Sequence, residues 1–261
     1  MKLVTLITDW GLKDYYVASL KARLISLYPD VRIIDISHNI DHFDILQASY
    51  ILSNCYDKFP EGTVHLIAVR RGDRKSQDNG YRLVKCKGHY FIGFDSGVFY
   101  LTLGDEPKEV FQLDIDNAVP QYIASDTLCV TATALMNGVD YKTLGTPTAD
   151  VQKYLNTRPV LNGSTIRGTV IHIDSFANVF CNITKDIFYE IGKNRPFTVS
   201  IRGDHYDFQT VNTDYDDVKE SELAVMFNEK GNLFVALNRS TAASLLGLKL
   251  FDTIRIDFKD R

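Results

Sequence analysis

The feature that most constrains the fold of this chain is a change in hydrophobic pattern near residue 150. Before that point, three short apolar runs, at 3–7, 31–37 and 63–69, are separated by segments with helical periodicity, the second of which predicts a helix at 44–59. Strands that alternate with helices in this way indicate βαβ units and a parallel sheet. Three further apolar segments, "RLVKC", "YFIGF" and "GVFYL", predict short strands added antiparallel to that sheet, and residues 126–138 predict a helix.

The second half of the chain has a different pattern. Residues 140–165 are rich in Thr, Pro, Asn and Gly and predict a connector. Short strand patterns then recur at near-regular spacing: "GTVIHID", "FTVSI", "YDFQTV", "ELAVMF", "NLFVAL" and "TIRIDF". Such spacing is typical of a β-sandwich or β-barrel. We therefore expect an α/β domain with a mainly parallel sheet at 1–155 and an all-β, barrel-like domain at 162–261.

Charge and cysteine usage exclude several classes of function. The chain has 29 Lys and Arg residues against 33 Asp and Glu residues, a net charge of -4 that argues against nucleic-acid binding. Its first residues fit neither a signal peptide nor a membrane span. The four cysteines are widely spread, without a CxxC pair or a histidine at zinc-site spacing, and they predict reduced core thiols in a cytoplasmic protein without a metal.

Acidic residues follow the first two apolar runs. Asp9 comes directly after the first run, where a carboxylate can accept hydrogen bonds from two adjacent hydroxyls of a ribose, or can cap a turn. The segment "DISHNIDHFD" at 35–44 groups three aspartates with two histidines. Its irregular ligand spacing and its turn-forming residues favour a loop over a metal site.

The segment "AVRRGDRK" at 68–75 follows the third apolar run and groups four cations around Asp73. A charge run is most often a solvated loop. At the carboxyl end of a strand in an open α/β sheet, it also lies where such sheets bind their ligands. Both interpretations stay open from these residues alone.

The segment "IDSFANVFCNIT" at 173–184 is unusual for a plain strand. Asp174, Asn178 and Asn182 are interleaved with Phe176 and Phe180. An amide that can both donate and accept, beside exposed aromatic rings, suits recognition of a purine. A polar turn with core aromatic residues is the alternative.

Six segments occur in the order and at the spacings of one protein family. They read "ITDWGLKDYYVASLKARL", "DISHNIDHFDILQASYIL", "FPEGTVHLIAV", "GFDSGV", "IDSFANVFCNIT" and "ALNRSTAASLLGL". The chain thus resembles the S-adenosylmethionine (SAM) hydroxide adenosyltransferases, whose relatives include the SAM-dependent fluorinase and chlorinase. The resemblance implies an N-terminal α/β domain, a C-terminal β-barrel-like domain and a homotrimer. SAM or adenosine would bind between one subunit's N-domain and its neighbour's C-domain, and no cofactor would be needed.

The resemblance also implies roles for single residues around the sugar and the methionine. Asp9 would hold the ribose hydroxyls, and Phe43 would pack against the substrate. Asp174 would meet the methionine ammonium group. The chemistry would be displacement at C5′ of the sugar, with neutral methionine leaving from the sulfonium.

A second group of residues would recognise the adenine. By the same resemblance, Asn178 would hydrogen-bond the adenine edge, and Phe176 and Tyr215 would flank its ring. The backbone around Asn238 and Arg239 would complete the recognition.

The chain departs from the family where the nucleophile would bind. Hydrolases of the family have "VDPGVG" where this chain has "VRRGDR", and an Asp, an Arg and a His orient the water. Here Arg70 stands in place of that Asp, where halogenases have Tyr. The family segment "HGRD" reads "IASD" here, so Ile123 replaces the His, and Ala124 offers no hydroxyl for a halide. Loss of general acid–base help would slow hydrolysis by ~10²–10⁴-fold without abolishing binding.

Three hypotheses follow from these residues. The first is a SAM-cleaving enzyme in which Arg70, Arg71, Asp73 and Arg74 form a replacement nucleophile site. The second is a SAM- or adenosine-binding module that has lost turnover. The third is a structural trimer with a vestigial pocket, which the retention of the nucleoside-binding residues disfavours.

Overall fold

The computed structural model describes residues 2–70, 80–105, 107, 109–114, 121–148, 151–154 and 158–259, with the backbone alone for residues 121–124. The chain divides into two compact units, Met1–Leu155 and Asn156–Arg261. Within the described residues, no helix has the length and apolar character needed to cross a membrane.

The described part of the first unit contains seven strands and four α-helices. The strands are β1 (Leu3–Thr8), β2 (Arg32–Ser37), β3 (Val64–Ala68), β4 (Tyr81–Cys86), β5 (His89–Phe94), β6 (Glu109–Gln112) and β7 (Thr146–Thr148). The helices are α1 (Tyr16–Leu27), α2 (Ile45–Ser53), α3 (Val98–Leu103) and α4 (Gln121–Met136). Short 3₁₀ turns lie at Tyr56–Lys58 and Tyr141–Thr143.

The strands of this unit form one mixed sheet in the order β2-β1-β3-β5-β4-β6-β7. The pairs from β2 to β5 are parallel, whereas β5-β4, β4-β6 and β6-β7 are antiparallel. The expected mainly parallel sheet is therefore half antiparallel. The reversal starts at the β4–β5 hairpin, where Lys87 and Gly88 both have positive φ, at 47° and 78°. Two such residues make the two-residue turn that joins antiparallel strands.

Helices cover both faces of the first sheet. On one face, Leu20 and Leu24 of α1 and Leu128 of α4 pack in a core with Leu6 of β1. On the other face, α2 and α3 enclose a second core that contains Leu52 and Phe99. Strands buried on both faces explain the continuous apolar runs of the sequence.

Several predicted elements differ from the observed ones. The segment "GVFYL", predicted as a strand, forms α3, because Gly97 adopts a left-handed φ of 98° and turns the chain after β5. The helix predicted at 44–59 is divided into α2 and a 3₁₀ turn, and the helix predicted at 126–138 starts earlier, at Gln121. The predicted connector at 140–165 includes β7.

The described part of the second unit contains eight strands and two short helices. The strands are β8 (Val160–Asn162), β9 (Thr165–Ile173), β10 (Val179–Thr184), β11 (Phe197–Ile201), β12 (Asp204–Phe208), β13 (Leu223–Phe227), β14 (Asn232–Leu237) and β15 (Thr253–Phe258). The helices are α5 (Lys185–Gly192) and α6 (Ala242–Leu245), and a 3₁₀ turn lies at Tyr215–Asp217.

All strand pairs of the second unit are antiparallel. Their order is β12-β11-β15-β9-β10-β14-β13, with β8 beside β9, and the sheet curves into a nearly closed, barrel-like form. We expected this unit to be all β, but it also contains α5, which packs on the sheet. Phe188 of that helix lies edge-on to Phe197 and Phe258, which anchors one apolar face of an eight-residue helix in the core.

None of the four cysteines, all of which lie among the described residues, forms a disulfide. Cys86, Cys129 and Cys181 are buried, and burial raises the pKa of the Cys129 and Cys181 thiols to about 12. These two thiols therefore stay protonated and act as small apolar side chains.

Candidate functional site

Asp9 lies at the carboxyl end of β1 with only 6% of its surface exposed. Its Oδ2 accepts a hydrogen bond of 2.9 Å from the backbone N–H of Phe43. Burial raises the pKa of Asp9, and the hydrogen bond from Phe43 partly offsets that rise. The carboxylate lies here because β1 ends at Thr8, the residue directly before Asp9.

Phe43 presents its ring to solvent from a constrained backbone. Its φ is 67°, a left-handed value that costs a bulky residue free energy, and 60% of its surface is exposed. Asp9 holds its N–H, and the next residue, Asp44, caps α2 by accepting from the N–H groups of Leu46 and Gln47. An exposed aromatic ring on a strained but fixed turn is a feature of binding sites.

Within the segment 35–44, His38 and Asp35 contact each other and side chains of neighbouring elements. His38 is buried, with Nδ1 2.8 Å from Thr8 Oγ1 and Nε2 3.1 Å from Asp35 Oδ1. Asp35 also accepts from Lys21 Nζ at 2.5 Å. No group of three potential metal ligands forms among the described residues.

Three strand ends lie side by side at one edge of the first sheet. Thr8 pairs with Ala68, and Ile67 pairs with Gly93, so β1, β3 and β5 end at the same level. The residues that follow these strands include Asp9, Arg70 and Asp95. The carboxyl ends of parallel strands therefore bring charged groups together where open α/β sheets bind ligands.

Arg70 is half-buried, and its guanidinium carbon lies 3.9 Å above the centroid of the Phe94 ring. This is cation–π geometry, and Arg70 therefore does not simply extend into solvent. Arg71, Asp73 and Arg74, which we predicted with it, lie outside the described residues. The backbone of Ile123 and Ala124 belongs to the first turn of α4.

Arg82 and Asp95 form a buried pair that the sequence pattern did not indicate. Arg82 Nε lies 3.9 Å from Asp95 Oδ2, and that oxygen accepts from the backbone N–H of Gln152 at 2.8 Å. Burial raises the pKa of Asp95 and lowers that of Arg82. The segment "RLVKC" predicted a short added strand but not its burial, and β4 is buried on both faces.

In the second unit, the carboxylate of Asp174 organises the loop between β9 and β10. Its Oδ1 accepts from the backbone N–H groups of Phe176 at 3.0 Å and Asn178 at 2.8 Å. This Asx-type turn places Ala177 at a left-handed φ of 62°. The Phe176 ring projects from the loop with 76% of its surface exposed.

The side-chain amide of Asn178 has a fixed orientation. Its Nδ2 donates to Asp174 Oδ2 at 3.0 Å and to Tyr215 Oη at 3.2 Å. Because an ionised carboxylate can only accept, the nitrogen must face Asp174. Both amide hydrogens are then used within the chain. In this arrangement Oδ1 is the atom of the amide that remains to accept a hydrogen bond from a ligand.

Phe176, Asn178 and Tyr215 line an open cavity of about 660 Å³. The lining consists of Ser175, Phe176, Asn178, Tyr215 and residues 237–241. A cavity of this volume, which combines the rings of Phe176 and Tyr215 with several polar side chains, is of the size that binds small molecules such as a nucleoside.

Asn238 and Arg239 form a turn at the wall of this cavity. The backbone of Asn238 donates to Glu222 O at 3.2 Å and accepts from Ser221 N at 2.9 Å, and its side chain donates to Val218 O. Arg239 has a left-handed φ of 55°, and its exposed guanidinium lies 3.9 Å from Asp216. Asn238 therefore holds the wall in place, and its backbone N–H is already used.

Comparison with known protein families shows which family the chain belongs to. The model of the SAM hydroxide adenosyltransferase N-terminal domain matches residues 4–145, and the model of the C-terminal domain matches residues 168–255. The chain belongs to the SAM hydroxide adenosyltransferase family. The two matched regions fall within the two structural units.

Several relatives align with nearly the whole length of this chain. A Thermus thermophilus protein named (R)-S-adenosyl-L-methionine hydrolase is 28% identical over 95% of this chain and 97% of its own. A fluorinase from Actinoplanes is 21% identical over 97% of each chain. An uncharacterized conserved protein from Thermotoga maritima has the same fold, with a TM-score of 0.86 and 27% identity over 98% of this chain and 99% of its own.

Proposed function

We propose that this SAM hydroxide adenosyltransferase binds SAM and hydrolyses it to adenosine and methionine. The observation that carries the proposal is the preorganised Oδ1 acceptor of Asn178 at the wall of a nucleoside-sized cavity. The names of the hydrolase relatives supply the reaction type.

Recognition of adenine follows from the geometry around Asn178. An acceptor with a fixed direction suits the exocyclic amino group of adenine, which donates two hydrogen bonds. Tyr215 Oη accepts from the amide and has its own hydrogen left to donate to a ring nitrogen. The exposed ring of Phe176 offers a face on which a purine can stack.

Recognition of the ribose rests on Asp9. One of its oxygens is engaged by Phe43, so the carboxylate is held rigidly at the sheet edge. A buried carboxylate gains more from accepting two hydroxyl hydrogens than an exposed one, because little water competes. In the proposed complex, Phe43 packs against the sugar and Asp174 meets the methionine ammonium group.

The reaction is a single displacement. A lone pair of water oxygen forms a bond to C5′ while the C5′–S bond breaks, and its electron pair stays on the sulfur of neutral methionine. The water loses one proton to solvent or to a base. Because the sulfonium is already a good leaving group, the chain's contribution is to hold the nucleophile and C5′ in line.

A second candidate function is a binding module with little turnover. The specific observation that favours it is Arg70, a cation stacked on Phe94 where hydrolases of the family have an Asp. A guanidinium cannot accept a proton from water. In this alternative, SAM or adenosine binds, and the chain reports its concentration.

Incubation with SAM separates the two candidates. Chromatography should detect adenosine and methionine in equal amounts, and calorimetry should detect adenosine binding. Asn178→Ala should lose both, whereas Asn162→Ala, which changes an amide on the exposed strand β8, should retain both. Adenosine binding without product formation would favour the binding module. The absence of both in the wild type would overturn the nucleoside-site assignment.

We propose further that the functional unit is a homotrimer. Exposed aromatic rings in both units, Phe43 and Phe176, together with exposed Leu12 and Tyr15, are the kind of apolar surface that a partner subunit or a ligand covers. Sedimentation velocity should give one species at three times the chain mass of 29.6 kDa. A monomer at all concentrations would contradict this assembly.

A further inference from the structure

The strand order of the second unit leaves a seam between β12 and β13, the two strands at its ends. Among residues 158–259, all of which the structure describes, no further strand pairs with the outer edge of either. A cavity of about 790 Å³ lies at this seam, lined by residues 205–210 of β12 and its continuation and by residues 221–223 where β13 begins. We call it the seam groove. Of the residues that line it, Leu237 alone also lines the cavity beside Asn178.

The outer edge of β12 directs backbone groups into this seam. A two-residue turn at Arg202 and Gly203, with φ of 51° and 99°, joins β11 to β12. In such a hairpin the residues that flank the turn exchange hydrogen bonds, and every second residue after them points away from the partner strand. His205 and Asp207 therefore offer their N–H and C=O groups on the side away from β11.

The outer edge of β13 is already paired at one residue. The C=O of Glu222 accepts from Asn238 N–H of β14 and its neighbouring turn at 3.2 Å, so the next residue, Leu223, points outward. Val225, two positions on, donates to Asn212 Oδ1 at 3.0 Å and accepts from Asn212 N–H at 2.8 Å. Asn212 thus imitates a paired strand residue at this edge. Residues 158–259 supply no equivalent partner for Leu223.

The lining of the seam groove combines apolar side chains with carboxylates. Leu245 is 65% exposed, and Glu222 has no cationic partner among residues 158–259: its Oε2 accepts from the backbone N–H of Lys219 at 3.1 Å. The stretch 204–222 contains seven Asp and Glu residues against one Lys. The apolar residues that line the groove are Tyr206, Phe208, Leu223, Leu237, Leu245 and Leu246.

We propose that the seam groove binds an extended, basic peptide segment of a partner protein by β-strand addition. Such a segment satisfies outward backbone groups of both edges, and its alternate side chains pack on the apolar lining while the others reach the carboxylates. The acidic charge selects Lys and Arg in those other positions. It also disfavours a second copy of this chain, because two such edges would bring like charges together. The inference goes beyond the nucleoside site and does not depend on it.

The test measures fluorescence anisotropy of labelled peptides with the full chain. The probe is a hexapeptide of alternating Lys and Val. One comparison peptide has Glu in place of Lys, and the other carries N-methyl groups on every second backbone nitrogen, which removes the donors toward one edge. The Lys–Val probe should bind about tenfold or more tightly than either comparison peptide. Adenosine should not displace it, because the nucleoside-sized cavity has a different lining.

Two pairs of variants locate the bound probe. Leu245→Ser removes an exposed apolar contact of the groove, and Glu222→Lys reverses a charge in its lining. Each should weaken binding of the Lys–Val probe about fivefold or more. The matched controls, Leu250→Ser and Glu190→Lys, change exposed residues that do not line the groove and should bind as the wild type does.

Four results would overturn the proposal. The first is equal or absent binding of all three peptides, and the second is probe affinity that both groove variants leave unchanged. Displacement of the probe by adenosine would place the peptide in the other cavity. A change in the sedimentation coefficient of the protein alone in Leu245→Ser would show that a second copy occupies the groove. Thermal melting shows that each variant is folded, and the two groove variants, both at exposed positions, give independent results.

Discussion

The Asp9 carboxylate and the Phe43 backbone are joined by a 2.9 Å hydrogen bond across 34 positions of sequence. The bond ties the end of β1 to a turn whose central residue has φ 67°. A single carboxylate thus supports a strained aromatic turn and, in the proposed complex, holds the ribose.

Replacing Asp9 should change which sugar the protein prefers. The wild type should bind adenosine more tightly than 2′-deoxyadenosine by about 10-fold or more, because the deoxy sugar leaves a buried carboxylate without one of its donors. Asp9→Asn should largely lose this preference, measured by calorimetry with both ligands. Asp30→Asn, at an exposed position, should keep it. A preference that is unchanged in Asp9→Asn would show that another group reads the diol.

The fixed amide of Asn178 should discriminate between purines. Inosine has a carbonyl where adenosine has an amino group, so it would face Asn178 Oδ1 with a second acceptor. We expect adenosine to bind about 10–100-fold more tightly than inosine, from one unmet hydrogen bond and one repulsive contact. Tyr215→Phe removes a hydrogen-bond partner of Asn178 Nδ2 and should reduce the ratio of adenosine to inosine affinity several-fold. Equal binding of both purines would contradict the assigned orientation.

The charge at Arg70 should set the preference between cationic and neutral ligands. Two like charges ~6 Å apart cost roughly 2–3 kcal/mol at an effective dielectric near 20. In a buffer without small monovalent anions, Arg70→Asp should therefore raise SAM affinity relative to adenosine by at least tenfold. Hydrolysis should recover better in Arg70→Asp with Ile123→His than in Arg70→Asp alone. Arg32→Asp, at an exposed position of β2, is the charge-matched control. If Arg70→Asp leaves the ratio of SAM to adenosine affinity unchanged, Arg70 does not act on the bound ligand.

Two buried histidines should make the fold sensitive to acid. His65 Nδ1 lies 2.7 Å from Thr5 Oγ1, and its Nε2 lies 3.2 Å from His89 Nδ1. Burial lowers the pKa of His65 to about 3 and lowers that of His89. The folded state stays neutral while the unfolded state takes up protons below pH ~6.5. The contribution of these histidines to the free energy of unfolding should therefore be constant above that pH and fall below it, by about 2 kcal/mol at pH 5 from His65 alone.

Urea denaturation at pH 7.5 and pH 5 measures that loss of stability. His65→Gln keeps hydrogen-bonding groups but cannot titrate, so its stability should fall less over the same interval. His205→Gln, at an exposed histidine of β12, should behave as the wild type does. An equal loss in His65→Gln and the wild type would assign the acid sensitivity to other groups.

Subunit mixing tests where the proposed site is assembled. Asp9→Ala impairs a group in the first unit and Asn178→Ala impairs one in the second. If each site combines two subunits, co-expressed chains with one change each should restore about a quarter of the sites by random assortment. Mixing should restore none if each site lies within one chain. Adenosine binding stoichiometry of the co-purified sample decides between the two.

The strand ends that carry Asp9 and Arg70 could be predicted because buried runs stop abruptly at polar residues. The geometry of α3 could not, since "GVFYL" is apolar throughout and its helical turn depends on the left-handed Gly97. The orientation of the Asn178 amide was equally hidden. It depends on which oxygen of Asp174 faces it after β9 and β10 have paired.

The buried side chains of Tyr81 and Arg82, which are adjacent on β4, show why buried polar groups are the hardest to predict. The segment predicted a strand but not what covers it, and helices cover both faces of this sheet. The charge of Arg82 is tolerated inside this layer because the carboxylate of Asp95, the residue directly after the neighbouring strand β5, lies beside it. That partnership is a property of the assembled sheet, and the local sequence does not contain it.

The last strand in the order of the first sheet has a consequence for solubility. β7 has three residues, and Pro147 at its centre pairs with Phe111 of β6. Proline has no N–H to offer an incoming strand, and so short an edge gives little length for pairing. The edge strand β7 is therefore a poor template for pairing with a strand of another molecule. Even at high protein concentration, we expect no aggregation through this edge of the sheet.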